Sequence, residues 1–401
     1  MPIDEARFPS YAILTPEKVK LYQAATERGL FNLLADEEYW RDHCEFLLSR
    51  GYCLRPRYHP DWRPSWLGSR VDPTFCEDSI TSTNYDVVDA IRRQGQQGSS
   101  LVSIKSIRKN KAEVDIAIYL TTSRLLAHPM NHCVPILDSF IDPNEPDTSF
   151  IVMPYLRPFD DPPFGAVGEV VDFVRQTLEA SVFAGVCIST RPTEHLVSSS
   201  GNLLHSQPRC CTSNCIRDCA SANIMMDGSP LYPQGHHPVR TNFSCDGSSV
   251  AFPLARIDNP VRYYFIDFGI STQFTPGDPP MVIGAKGRDK ELPELSRDVP
   301  YDGFKADIFI LGNLYKQEFL QKYHGIDFLS SLVASMTEHD PMQRPSAPAA
   351  LSDLQKLKAG LNSMNLRWRL RPRDESVPQR VVFDTVAVAR ETFYHLKRIM
   401  G

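Results

Sequence analysis

No stretch of this sequence approaches the roughly 18 consecutive apolar residues of a membrane span, so no membrane-crossing helix is expected. The first ten residues, MPIDEARFPS, lack the basic and apolar regions of a secretory signal, and a cytoplasmic or nuclear rather than a secreted protein is expected. Basic excess is missing too. Lys and Arg number 43 against 48 Asp and Glu, and the formal charge of −5 argues against nucleic acid as an obligate partner. The ten cysteines contain no CxxC pair; Cys210, Cys211, Cys215 and Cys219, the densest group, have the wrong spacing for a structural zinc site. Scattered cysteines in a chain of 401 residues suit a reducing compartment, with most thiols acting as small hydrophobes. Enough is present to fold: 42% of the residues are hydrophobic, sufficient for a core in one large domain or two to three ordinary ones.

Thr15, Pro16 and Glu17 signal a first helix, and Asp36 opens a second whose apolar residues are Tyr39, Trp40, Phe46 and Leu47 and whose stop is Gly51. These helices are expected as an appendage. Arg55 to Leu67, RPRYHPDWRPSWL, has three prolines, which exclude regular structure, and two tryptophans, which exclude simple disorder; an extended segment packed onto a domain is expected. From Ile80 the pattern changes to short β-type runs. Val87 to Ile91 and Leu101 to Ile107 flank the turn-rich QGQQGSS and read as a hairpin. Lys105 sits among apolar neighbours in the second run, where a lysine is either an edge-strand charge or a buried ligand group. Glu113 to Leu120 reads as a helix, Val134 to Phe140 and Phe150 to Leu156 as strands, and Val167 to about Ala184 as a further helix. His236 and His237, in a Gly-Pro-rich loop, are expected to be solvated.

Two later stretches carry chemistry. In YYFIDFGIS, Tyr263 to Ser271, a buried strand delivers Asp267 to a turn at Phe268 and Gly269; in IRDCASANIMMD, Ile216 to Asp227, Asp218 precedes the amide Asn223 by five residues. A carboxylate, then an amide, then an Asp-Phe-Gly turn resembles the catalytic loop and metal-binding motif of the protein kinases. The resemblance covers about Asp78 to Leu357 and implies a role for each matching residue. Lys105 is similar to the lysine that pairs with the α and β phosphates of ATP, and Glu113 to the helix glutamate that holds it. Asp218 is then the catalytic base, Asn223 and Asp267 the Mg2+ ligands, and Met153, Tyr155 and Leu156 the hinge beside adenine. Further on, LPEL at Leu292 to Leu295 resembles the close of the activation loop, with Arg344 as the partner of Glu294, and Asp307 and Gly312 resemble the start of the central helix. The whole chain looks similar to the kinase-domain proteins of mushroom-forming fungi.

The implied fold is α+β and two-lobed, a small antiparallel sheet with one helix and a larger, mainly helical lobe. Its expected divisions are 1–77 for the N-terminal appendage, 78–156 and 157–361 for the two lobes, and 362–401 for a C-terminal extension. The implied function is ATP-dependent phosphoryl transfer to a protein hydroxyl, serine or threonine by default, with a protein substrate or partner. Three departures qualify it. No glycine lies between Asp78 and Val87, where only glycine lets backbone amides approach phosphate closely; DSITSTNYDV could still close over nucleotide with Ser and Thr, but phosphate binding must then lean on Lys105 and metal. Ile216 stands where the family has histidine, and Ala220 and Ala222 leave no cation on the transferring phosphate. Residues 186–215 exceed the family's length, polar and without periodicity, and are either a surface insertion, expected to be poorly ordered, or translated non-coding sequence. The expectation is therefore a slow kinase; the alternative is a pseudokinase that binds partners without transferring phosphate. A small-molecule kinase is a third reading, opposed by the Glu294 and Arg344 motifs.

Overall fold

Period-two alternation builds the first sheet. Val88 and Ala90 alternate with Asp89, and Val102 and Ile104 with Ser103 and Lys105, so that one face carries the core while the other mixes Asp89, Ser103 and Lys105 with Ile151 and Met153. The computed structural model describes residues 3–82, 84–93, 99–185, 213–215, 218–275 and 278–400. They form a mixed α+β protein with antiparallel sheets, divided into two units.

The first unit comprises Met1–Val114, Val134–Arg157 and Met226–Val261. Its sheet has five strands, β1 (Tyr52–Leu54), β2 (Val87–Arg93), β3 (Ser99–Arg108), β4 (Asp138–Ile141) and β5 (Thr148–Pro154), in the order β1-β2-β3-β5-β4. All neighbours are antiparallel. The expected hairpin is present as β2 and β3, while its connecting residues 94–98 lie outside the described residues. The strand expected from Val134 starts only at Asp138.

Three helices precede the sheet: α1 (Pro16–Glu27), α2 (Ala35–Asp42) and α3 (Cys44–Ser49). The single helix expected after Asp36 is broken at His43, whose Nε2 lies 2.8 Å from Asp142 Oδ2, and Gly51 stops the chain as expected at a φ of +89°. Trp40, Cys44 and Leu47 share one core with Val88, Ala90, Val102, Ile104, Phe150 and Val152. The helices α2 and α3 are therefore the cover of the sheet's apolar face rather than an appendage, whereas α1 meets Trp66, whose Nε1 donates to Thr26 Oγ1 at 3.0 Å.

Residues 55–67, expected to be extended, pack as a succession of turns, at Pro56–Tyr58, at 60–61 and from 65 on. Arg57 is fully buried and makes two 2.8 Å bonds to Glu37. Asp78 accepts from Trp62 Nε1 at 2.9 Å and from the Ser65 amide at 2.8 Å. The carbonyls of Asp78 and Ile80 are taken by Arg57 and Arg55, and that of Tyr85 by Trp40 Nε1. In the run expected to close over nucleotide, Asp78, Ile80 and Tyr85 are thus held by their carbonyls, and residue 83 lies outside the described residues.

The second unit comprises Asp115–Cys133, Pro158–Met225 and Arg262–Gly401. Its axis is the helix Val167–Gly185, apolar on most faces and correspondingly buried. Gln176 of that helix accepts from the Tyr263 amide at 3.0 Å, and Thr177 shares a 2.7 Å bond with the Tyr315 hydroxyl. The helix Gly303–Tyr315 is capped by Asp302, which accepts from the amides of Phe304 and Lys305. Of the expected insertion, residues 186–212 lie outside the described residues, as does Ile216. Ser213–Cys215 instead form a strand paired antiparallel with Thr272–Phe274, so this end of the segment belongs to the unit. The C-terminal residues fold back as the helix Val377–Met400, tied by Arg367 to Glu391 and by Arg369 to Asp384. Among the described residues no helix is long and apolar enough to cross a membrane.

Candidate functional site

The expected site residues fall into groups within each unit. In the first, β3 carries Lys105 on the sheet face opposite the apolar core, and the helix Lys111–Leu120 begins three residues after the strand ends. That spacing brings Glu113 back to the strand. Lys105 Nζ lies 2.6 Å from Glu113 Oε1, with both side chains largely shielded from solvent. Asn110 Nδ2 donates to the other carboxylate oxygen at 3.1 Å and fixes its orientation. An ammonium removed from water needs such a carboxylate, so the pair is the arrangement that makes this lysine tolerable on a half-buried strand.

Met153, Tyr155 and Leu156 continue from β5, and Met153 stands opposite Ser103 on the Lys105 face. Met153 and Leu156 are buried, and the Tyr155 ring lies 5.6 Å from that of His236 while its hydroxyl donates to Pro238 O at 2.5 Å. The segment that covers Tyr155 is anchored at Arg157, which is fully buried, donates to Thr241 O at 2.7 Å and lies 4.3 Å from the Tyr232 ring centroid. Gly228 is required there, because a Cβ would come within 2.6 Å of Arg157 Cδ. His236 and His237, expected in solvent, are buried, and His237 Nε2 lies 3.4 Å from Glu77 Oε1. Burial would raise the Glu77 carboxyl, but its contacts with His237 and Arg55 outweigh burial and hold it below the usual range. Asp89, more deeply placed beside Arg55, is pushed up by burial.

In the second unit, Asp218 is buried and both its carboxylate oxygens are engaged. Asn223 Nδ2 donates to Oδ2 at 2.8 Å, and the Arg288 amide donates to Oδ1 at 3.0 Å. The Ile266 amide donates to Asn223 O at 3.1 Å, placing the residue just before Asp267 on the backbone of Asn223. Asp267 Oδ1 in turn accepts from the Gly269 amide at 2.9 Å, a two-residue turn that points the carboxylate away from the strand. His132 supports this strand from behind: its carbonyl accepts from the Phe265 amide at 2.8 Å, and its Nδ1 donates to Tyr263 O at 3.1 Å. Among the described residues no group of three or more His, Cys, Asp or Glu is arranged to hold a metal ion. The expected Mg2+ ligands, Asn223 and Asp267, are an amide and a carboxylate on stretches joined by the Ile266–Asn223 backbone bond.

Glu294 and Arg344 meet as expected. Two bonds of 2.5 and 2.8 Å join guanidinium and carboxylate, and Arg344 also donates to the carbonyls of Glu338 and Lys305. Sequence reasoning missed Asn110 and Arg288. Asn110, three residues before Glu113, carried a helix-start signal that could have found it; Arg288, seventy residues from Asp218, carried none. No protein-family model matches this chain, and no curated protein matches it.

Proposed function

We propose that this chain is a two-lobed, protein-kinase-like phosphotransferase acting on a protein hydroxyl, with ATP and Mg2+ as cofactors. The observation that carries the reading is that the residues meet in the pairs the motif order requires: Lys105 with Glu113 and Asp218 with Asn223, each a few residues apart, and Glu294 with Arg344 across fifty residues. When bound, the metal would neutralise charge on the phosphates, held by Asn223 and Asp267. Lys105, oriented by Glu113, would bind the α and β phosphates. Asp218, held by Asn223 and the Arg288 amide, would orient the acceptor hydroxyl and take its proton.

One observation favours a second reading, a pseudokinase that binds partners. Tyr155, at the expected adenine position, packs its side chain against His236 and Pro238 of the same unit. A metal-dependent nucleotide titration separates the two: binding by the parent that is lost in Asp267→Ala supports the phosphotransferase, and no binding by the parent supports the scaffold.

A further inference from the structure

We propose that Arg288 supplies the positive charge that Ala220 and Ala222 leave out of the catalytic loop, its guanidinium resting on the phosphoryl group during transfer; this rests on the phosphotransferase reading above. In that step the bond from the γ-phosphorus to the oxygen of the departing ADP breaks and a bond to the acceptor oxygen forms. The hydroxyl proton goes to Asp218, and ADP leaves with the bonding pair. Negative charge spread over the equatorial oxygens needs a cation close to the carboxylate that takes the proton.

The geometry singles out Arg288. Its amide is 3.0 Å from Asp218 Oδ1, so its side chain springs from the residue already touching the base. Arg288 lines a groove of about 420 Å³ together with Ala220, Ser221 and Ala222, the positions where the cation is missing. Other charges of that groove are occupied. Lys290 Nζ donates to Ala285 O at 2.9 Å, Asp289 accepts from Asn313, Glu291 accepts from Gln317, and Glu318 pairs with Lys322. Arg288 is exposed and, among the described residues, no carboxylate lies within ion-pair range of its guanidinium.

Backbone and side-chain roles of Arg288 are separable, because Arg288→Ala keeps the amide that holds Asp218. Phosphoryl transfer to a generic protein substrate is measured with Mg-ATP, beside nucleotide binding, for the parent, Arg288→Ala and Arg288→Lys. Loss of the guanidinium should lower kcat about a hundredfold with nucleotide affinity retained. Millimolar guanidinium added to Arg288→Ala, or Ala220→Lys in the same background, should restore part of the rate, and Arg288→Lys should fall between. A parent that binds nucleotide while Arg288→Ala transfers as fast as it does overturns this inference and leaves the phosphotransferase reading standing. A parent that binds no nucleotide overturns both.

Discussion

At the scale of single residues, the site depends on charges held out of water. Arg344 is fully buried and satisfies Glu294 as well as backbone carbonyls, so Arg344→Ala should cost about 3–5 kcal/mol, read as a lowered thermal midpoint. A variant that melts with the parent would show the pair to be idle. His132 gives a pH dependence. Burial holds its imidazole below the ordinary 6.5, against the opposing bond to Tyr263. A depressed folded value means that the contribution is fully present above 6.5 and is lost as pH falls through the folded value. The thermal midpoint should therefore drop between neutral pH and mild acid, and His132→Gln should flatten that slope. The pairs Lys105 with Glu113 and Glu294 with Arg344 were legible in the sequence because each partner sits in a short run with its own signature. His236 and His237 were not: a Gly-Pro-rich loop reads as solvated, while they are buried against Tyr155 and Glu77, remote in the chain, as well as the nearby Tyr232.

At the scale of elements, periodic segments were readable and unpatterned ones were not. The hairpin β2–β3, the helix after Lys105 and the helix Val167–Gly185 stand where apolar periodicity placed them. β1 spans only Tyr52–Leu54 and Ser213–Cys215 only three polar-flanked residues, too few for alternation to declare itself. The break at His43 comes from a tertiary contact with Asp142, which no local propensity encodes. Packing between helices gives the test here. At Gly312 an added Cβ would lie 2.7 Å from Met336 Cβ, so the helices Gly303–Tyr315 and Ser330–Met336 approach as closely as they do because that side chain is missing. Gly312→Ala gains helix propensity of about 1 kcal/mol but overpacks the contact by about 1–3 kcal/mol. Denaturant titration should find it no more stable than the parent, and Gly312→Val clearly less so.

At the scale of the whole molecule, the chain passes between the two units repeatedly, and neither is a continuous stretch of sequence. A fragment ending at Arg157 contains all five strands yet lacks Met226–Val261, which supplies the partners of Tyr155, Arg157 and Glu77. Residues 1–157 alone should fail to melt cooperatively, by circular dichroism, and addition of a peptide spanning 226–261 should sharpen the transition; a cooperative melt without it would show the segment to be an accessory. The same feature sets a clock on synthesis. The last strand, β5, ends at Pro154, but the segment that covers Tyr155 is not complete until Val261, about a hundred residues later. At roughly 5–20 residues per second, the sheet waits on the order of 5–20 s on the ribosome with Tyr155 and Arg157 lacking their partners. Nascent chains stalled after β5 should be cut readily by protease around Tyr155, and those stalled well beyond Val261 should resist.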